Sequence, residues 1–179
     1  MKYLLLLSSL FLASCASDIT QYESNSPKLD LTEYFSGKLC AWGTVSDFSG
    51  DVSRRFVATI EATSSQDSFT LDEIFKFDDG ERQTRLWKFN KTNNQWIGTA
   101  GDVEGEAIGE VSGNVMSLLY DLNVQMDDDV IRLAMDDVLH LIDDNTMIGK
   151  TIMNKFGIQV GEINIVIQKQ SNDFSMCQV

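Results

Sequence analysis

The stretch Phe69–Phe89, FTLDEIFKFDDGERQTRLWKF, constrains the fold more than any other part of the chain. Two runs of alternating side chains flank Asp78-Asp79-Gly80, and a three-residue loop ending in glycine suits a type I turn closed in the left-handed conformation. With Phe77 opposite Glu81, period-two alternation pairs Phe75 with Gln83, Glu73 with Arg85, Leu71 with Trp87 and Phe69 with Phe89. One face of this hairpin then carries nearly every large apolar residue. Glu73 and Arg85 share that face, so the pattern predicts an ion pair between them, set among aromatic walls.

The rest of the chain repeats the theme of alternation. Lys38–Val45 reads as a first strand and Arg54–Thr63 as a second, with Phe56, Ala58, Ile60 and Ala62 on one face. From Gln95 to Gly113 glycines recur every fourth position. A membrane helix is excluded by Asp102, Glu104, Glu106 and Glu110, and a soluble helix is weakened by so many glycines. As a strand, the segment places Gly101, Val103, Gly105, Ala107, Gly109, Val111 and Gly113 on one side, with an interruption expected near Gly105. Asn114–Met126 alternates too. A four-residue loop after it pairs Met126 with Ile131, Tyr120 with Asp137 and Leu118 with Leu139. Thr146–Phe156 reads as strand, although Ile148, Ile152 and Phe156 also fit a helix ending at Gly157. Glu162–Lys169 is the last strand, with Ile163, Ile165 and Ile167 inward. Eight to ten antiparallel strands with short links favour closure, so the expected fold is an all-β, lipocalin-like (calycin-type) barrel. Asp30 and Glu33 have capping-box spacing, which predicts a short helical turn over Leu31–Ser36 that plugs one barrel end.

Small inward residues opposite an aromatic hairpin allow two outcomes. Either an apolar lumen remains for a ligand, or aromatic rings from across the barrel fill it. The net charge of −13, from 14 Lys+Arg against 27 Asp+Glu, excludes a phosphate-binding surface, so no nucleic-acid partner is expected.

The N-terminus sets the expected compartment. Met1-Lys2, an apolar run over Tyr3–Leu12 and small residues before Cys15 form a secretory signal too short to span a bilayer. Leu12-Ala13-Ser14-Cys15 looks like the bacterial lipoprotein signal. That resemblance implies cleavage after residue 14, lipid attachment at Cys15 and membrane association through acyl chains. Ala16 in the following position, where an aspartate resembles an inner-membrane retention signal, implies the outer membrane with the domain facing the periplasm. Residues 15–28 then read as a flexible tether and 29–179 as one barrel domain.

Phe35-x-Gly37, Gly43, Leu71-x-Glu73-x-Phe75, Asp79-Gly80, Arg85-x-Trp87, Ala100-x-Asp102-Val103-x-Gly105-x-Ala107-x-Gly109, Gly113-Asn114 and Lys155-Phe156-Gly157 recur in order along most of the mature chain. In this the chain resembles a family of uncharacterised proteobacterial lipoproteins, and the resemblance implies a lipocalin-like fold with no established activity. The chain departs from that pattern at Asp136-Asp137-Val138-Leu139-His140, where members carry an Asp-Asp-Trp segment. It also lacks the lipocalin Gly-x-Trp motif, since Trp42 precedes Gly43.

The candidate ligand site is Glu73, Arg85, Trp87 and Tyr120, with the charged pair able to hold the polar head of an amphipathic, lipid-like molecule; the competing role for the pair is purely structural. His140, the single histidine, falls on the outer face of its strand, so no metal, haem or other cofactor is expected. No Gly-x-Ser-x-Gly elbow occurs, and the expected role is not enzymatic. The aspartate clusters at 127–129, 136–137 and 143–144 lack calcium-loop spacing and read as solvated turns and strand ends. Cys40 and Cys177 remain for a disulfide, because barrel closure brings the first strand near the segment after the last.

Overall fold

The computed structural model describes residues 18–126, 129–170 and 173–177. Cys15 and the signal segment lie outside the described residues. After a 3-10 turn at Thr20–Tyr22, a one-turn helix α1 (Leu31–Tyr34) leads into ten strands. These are β1 (Gly37–Asp47), β2 (Val52–Ser64), β3 (Ser68–Phe77), β4 (Arg82–Thr92) and β5 (Gln95–Thr99), followed by β6 (Val103–Ser112), β7 (Val115–Met126), β8 (Asp129–Asp143), β9 (Thr146–Lys155) and β10 (Ile158–Gln170). Each strand pairs antiparallel with its sequence neighbour, and β1 pairs with β10 to close the barrel.

The Phe69–Phe89 hairpin adopts the expected register, with Glu73 opposite Arg85 and Leu71 opposite Trp87. Gly80 has φ 91, which supplies the left-handed residue the turn needs. In the glycine-rich stretch the chain turns where the Val103 amide donates to the Ala100 carbonyl, and β6 bulges between Glu104 and Ile108. Val103, Ala107 and Gly109 all remain inward and buried.

The β7–β8 pairing corrects the expected register. Only residues 127 and 128 separate these strands, so Met126 pairs with Asp129, Tyr120 with Met135 and Leu118 with Asp137. The four-residue loop is off by two positions. Side-chain parity repeats every two residues, so both registers bury the same apolar face and parity cannot choose between them.

Antiparallel neighbours in chain order put the loops β1–β2, β3–β4, β5–β6, β7–β8 and β9–β10 at one end, the mouth. The opposite end carries α1. Asp30 caps this helix by accepting from the Thr32 and Glu33 amides at 2.9 and 3.1 Å, so a single turn is held where an isolated one would not persist. Leu31, Tyr34 and Phe35 are buried, and the Tyr34 hydroxyl donates to the Ile167 carbonyl at 2.8 Å. This end is plugged.

The tether expectation needs correction over residues 18–28. Ile19 is buried, the Tyr22 ring meets His140 edge-on at 5.3 Å, and the Leu29 amide donates to the Gly113 carbonyl at 2.8 Å. One buried isoleucine and one aromatic contact are enough to fix a segment that polar composition made look loose.

Cys40 and Cys177 form a disulfide with Cα atoms 5.5 Å apart, joining β1 to the segment beyond β10.

Candidate functional site

Strand β4 aims Arg85, Trp87 and Phe89 inward and β3 aims Phe69, Leu71 and Glu73 beside them, because both strands expose alternate side chains to the lumen. An aromatic column follows. Phe35 of the plug stacks on Phe69 at 5.2 Å, Phe69 on Phe89 at 4.6 Å, Phe89 on Trp87 at 5.1 Å, and Trp87 meets Tyr120 edge-on at 5.4 Å. The column links the closed end to a polar cluster nearer the mouth.

All four residues singled out in the sequence, Glu73, Arg85, Trp87 and Tyr120, line one internal cavity of about 140 Å³. Asp137 and Thr151 line it as well, amid a mainly apolar wall. The predicted Glu73–Arg85 ion pair is corrected. The two residues face each other across the strands, but Arg85 spends its hydrogen bonds on Asp102: Nη2 lies 2.7 Å and Nε 2.9 Å from Oδ2, with Nε 3.1 Å from Oδ1. Among the described residues no Glu73–Arg85 contact qualifies as an ion pair. Asp102 stands in the β5–β6 turn at the mouth and stays partly hydrated, so pairing there costs less desolvation than pairing with Glu73 inside.

Glu73 is 7% exposed. Burial raises its pKa to about 7, against the pull of Arg85 and with a further push from Asp102 and Asp137. Asp137 is raised to about 6, again by burial, although Thr151 and Tyr120 hydrogen-bond to its carboxylate. Its Oδ1 is buried without a close partner among the described residues. Arg85 is held charged: burial opposes its charge, and the Asp102 hydrogen bonds and the field of Glu73 outweigh it. Tyr120 stays protonated because burial and Asp137 both raise its pKa. The reading of Asp136-Asp137 as solvated is therefore corrected for Asp137. It lies in the middle of β8, at the inward parity shared by Met135 and Leu139, and the signal was its parity with Leu133, Met135 and Leu139.

These shifts set a pH dependence. Glu73 binds its proton more tightly in the folded chain than in the unfolded one, so its contribution is fully present below pH 4.5 and is lost as pH rises through about 7. A rise from 4.5 to about 7, at about 1.4 kcal/mol per pH unit, amounts to roughly 3 kcal/mol. Asp137 acts in the same direction up to about pH 6. Stability is therefore expected to be greater near pH 5 than at pH 8, and Glu73→Gln to flatten the decline while raising stability at pH 8. Urea midpoints at the two pH values check this; equal slopes for wild type and variant would contradict it.

The lumen is small because rings occupy the space the glycines leave. Phe89 lies over Gly98 and Phe56 over Gly43, so closely that a β-carbon at either glycine would collide with the ring. The outer wall holds a larger open groove of about 630 Å³ around Trp42, Val57, Ile148 and Val166. His140 faces outward beneath Tyr22, and no group of three or more His, Cys, Asp or Glu able to hold a metal is present among the described residues.

The fold is similar to that of the S-type phycobiliprotein lyase CPES from Guillardia theta, with a TM-score of 0.56 at 9% identity over 79% of this chain and 92% of that one. At that identity the likeness is one of fold, a barrel compatible with binding a small ligand. No curated protein matches the sequence. A family model does match, over residues 9–169, and by it the chain belongs to the family described as "Protein of unknown function (DUF3833)".

Proposed function

We propose that this chain is a lipid-anchored, periplasm-facing protein of the outer membrane that binds one small, apolar or lipid-like molecule in its barrel lumen, without catalysing a reaction. The observation that carries this reading is the mixed lining of the cavity. An apolar and aromatic wall ends in Glu73, Arg85, Tyr120 and Asp137, and one oxygen of Asp137, Oδ1, is buried without a close partner among the described residues. Ligand pockets have that composition: mostly apolar, with a few polar groups that fix orientation. Two carboxyl groups that titrate near neutrality, beside a fixed guanidinium, favour a ligand whose polar end donates hydrogen bonds. A barrel shared with a phycobiliprotein lyase supports a ligand-handling role.

Cavity size favours a second reading. About 140 Å³ is below the roughly 300 Å³ at which drug-sized ligand sites begin, and is close to the size of cavities that take one benzene ring. A whole acyl chain enters only if the aromatic column moves. The alternative is a solidly packed barrel that works through its acidic outer surface on a protein partner.

Mass spectrometry of organic extracts tests this directly, using the chain from Ala16 exported to the periplasm and purified without detergent. A stoichiometric small molecule, absent from preparations carrying Tyr120→Phe with Asp137→Asn, is the expected result. Repeated absence from a folded wild-type preparation would favour the packed barrel.

A further inference from the structure

The four most exposed large apolar side chains among the described residues are Phe156 (93%), Phe48 (79%), Ile158 (70%) and Val130 (63%). All stand on hairpin tips at the mouth. Phe48 lies in the β1–β2 loop, Val130 beside the β7–β8 loop, and Phe156 and Ile158 at the β9–β10 turn. Strands β7 to β10, β1 and β2 are consecutive around the barrel, so these tips form one arc of the rim. The other arc is polar: Arg54 bridges Asp79 and Glu81 at the β3–β4 turn, and Asp102 holds Arg85 at the β5–β6 turn.

Phe156 is the most informative of the four. With Phe156 at φ 53 and Gly157 at φ 77, and Lys155 paired with Ile158, the β9–β10 connection is a two-residue turn of type I′. Asparagine is the favoured residue at its first position, because its short side chain tolerates φ above zero, and a bulky aromatic there is strained. The chain thus accepts backbone strain to display a phenylalanine that touches almost nothing of its own fold. The Lys155 ammonium lies 5.6 Å from that ring, giving the tip the lysine-beside-aromatic composition of membrane-interface segments. Separate convex prongs suit a partner without fixed shape better than they suit a matched protein pocket. Asp47, Asp51 and Asp129 flank the tips, which excludes a strongly anionic surface.

We propose that this arc of the mouth docks on the surface of a zwitterionic lipid bilayer by inserting Phe156, Phe48 and their apolar neighbours between headgroups. The proposal goes beyond ligand binding and does not require the lumen to be occupied; because Tyr22 and Leu29 pack at the plugged end, the bilayer met by this mouth is a different one from that which an acyl group on Cys15 would enter. It is tested by flotation of the chain from Ala16, which contains every described element, with phosphatidylcholine–phosphatidylethanolamine vesicles. Wild type is expected to float with them. Phe156→Asn is expected to lower the partition coefficient by about tenfold or more, the loss of one buried phenylalanine, while its melting temperature holds or rises because the turn gains its preferred residue. Phe48→Ser is expected to weaken partition similarly, and adding phosphatidylglycerol to weaken it in a way that salt reverses. A wild type that stays unbound, or a Phe156→Asn chain that binds as well as wild type, overturns the proposal. Concentration-dependent dimers that Phe156→Asn abolishes, without vesicle binding, would assign the arc to a second copy of the chain instead.

Discussion

Replacing Arg85 with alanine is expected to lower the melting temperature by on the order of 10 °C, the consequence of leaving buried charge uncompensated at a cost of roughly 3–5 kcal/mol. The guanidinium does three things at once. It donates to both carboxylate oxygens of Asp102, from Nε to each and from Nη2 to Oδ2, lies 5.7 Å from the Phe75 ring centroid, and opposes the charge of Glu73 and Asp137. Asp102 rehydrates when these bonds are lost, since it sits at the mouth. Glu73, buried in the lumen, has no such recourse, and the half-buried Asp137 has little. The loss is therefore expected to be larger at pH 8, where both carry charge, than at pH 5, where protonation neutralises them. Thermal melts of wild type and Arg85→Ala at the two pH values give the comparison. An unchanged melting temperature at pH 8 would mean that the lumen tolerates its carboxylates without a cation.

Loss of the Cys40–Cys177 bond is expected to have the other large effect. The crosslink spans 137 residues, a loop for which chain entropy assigns up to roughly 5 kcal/mol of stabilisation. Both cysteines are buried, so alanine is the informative replacement; a serine pair would add the cost of burying hydroxyls. Cys40→Ala with Cys177→Ala is expected to shift the urea midpoint strongly downward, and dithiothreitol to reproduce the shift in wild type. Thiol labelling without reductant is expected to find neither sulfur reactive in the folded chain. Two labelled thiols would remove the crosslink from the description of this fold.

Much of the architecture was legible because strand parity and turn chemistry are local. Asp78-Asp79-Gly80 fixes a turn, the turn fixes Glu73 opposite Arg85, and the apolar residues then fall on one face. The same reasoning slipped at β7–β8, where three consecutive aspartates allow a two- or a four-residue loop and parity accepts both. The candidate cluster was half legible. Glu73, Arg85, Trp87 and Tyr120 share a lumen because parity sends them there. The pairing of Asp102 with Arg85 is not legible, because it depends on where a turn falls between β5 and β6, a long-range fact that no repeat encodes. Asp137 was visible in principle: an aspartate at the inward parity of an apolar strand is either buried or evidence of a wrong register. Its neighbour Asp136 made the pair look like ordinary surface acid. The lumen volume was not legible, because a column of small residues states how much room a wall leaves and not which ring from the adjacent strand takes it.

Closure of the sheet between β1 and β10 also orders events in time. Residues 38–47 find their second partner strand only in residues 161–170, so the edge of β1 waits, unpaired, until almost the whole chain has been delivered. Loop closure over that distance is a slow, high-contact-order step. A chain made N-terminus first therefore passes through an open, growing sheet with two sticky edges, and it becomes a barrel only at the end. Helpers that shield an exposed strand edge would matter most for this protein in that interval, before its last strand arrives.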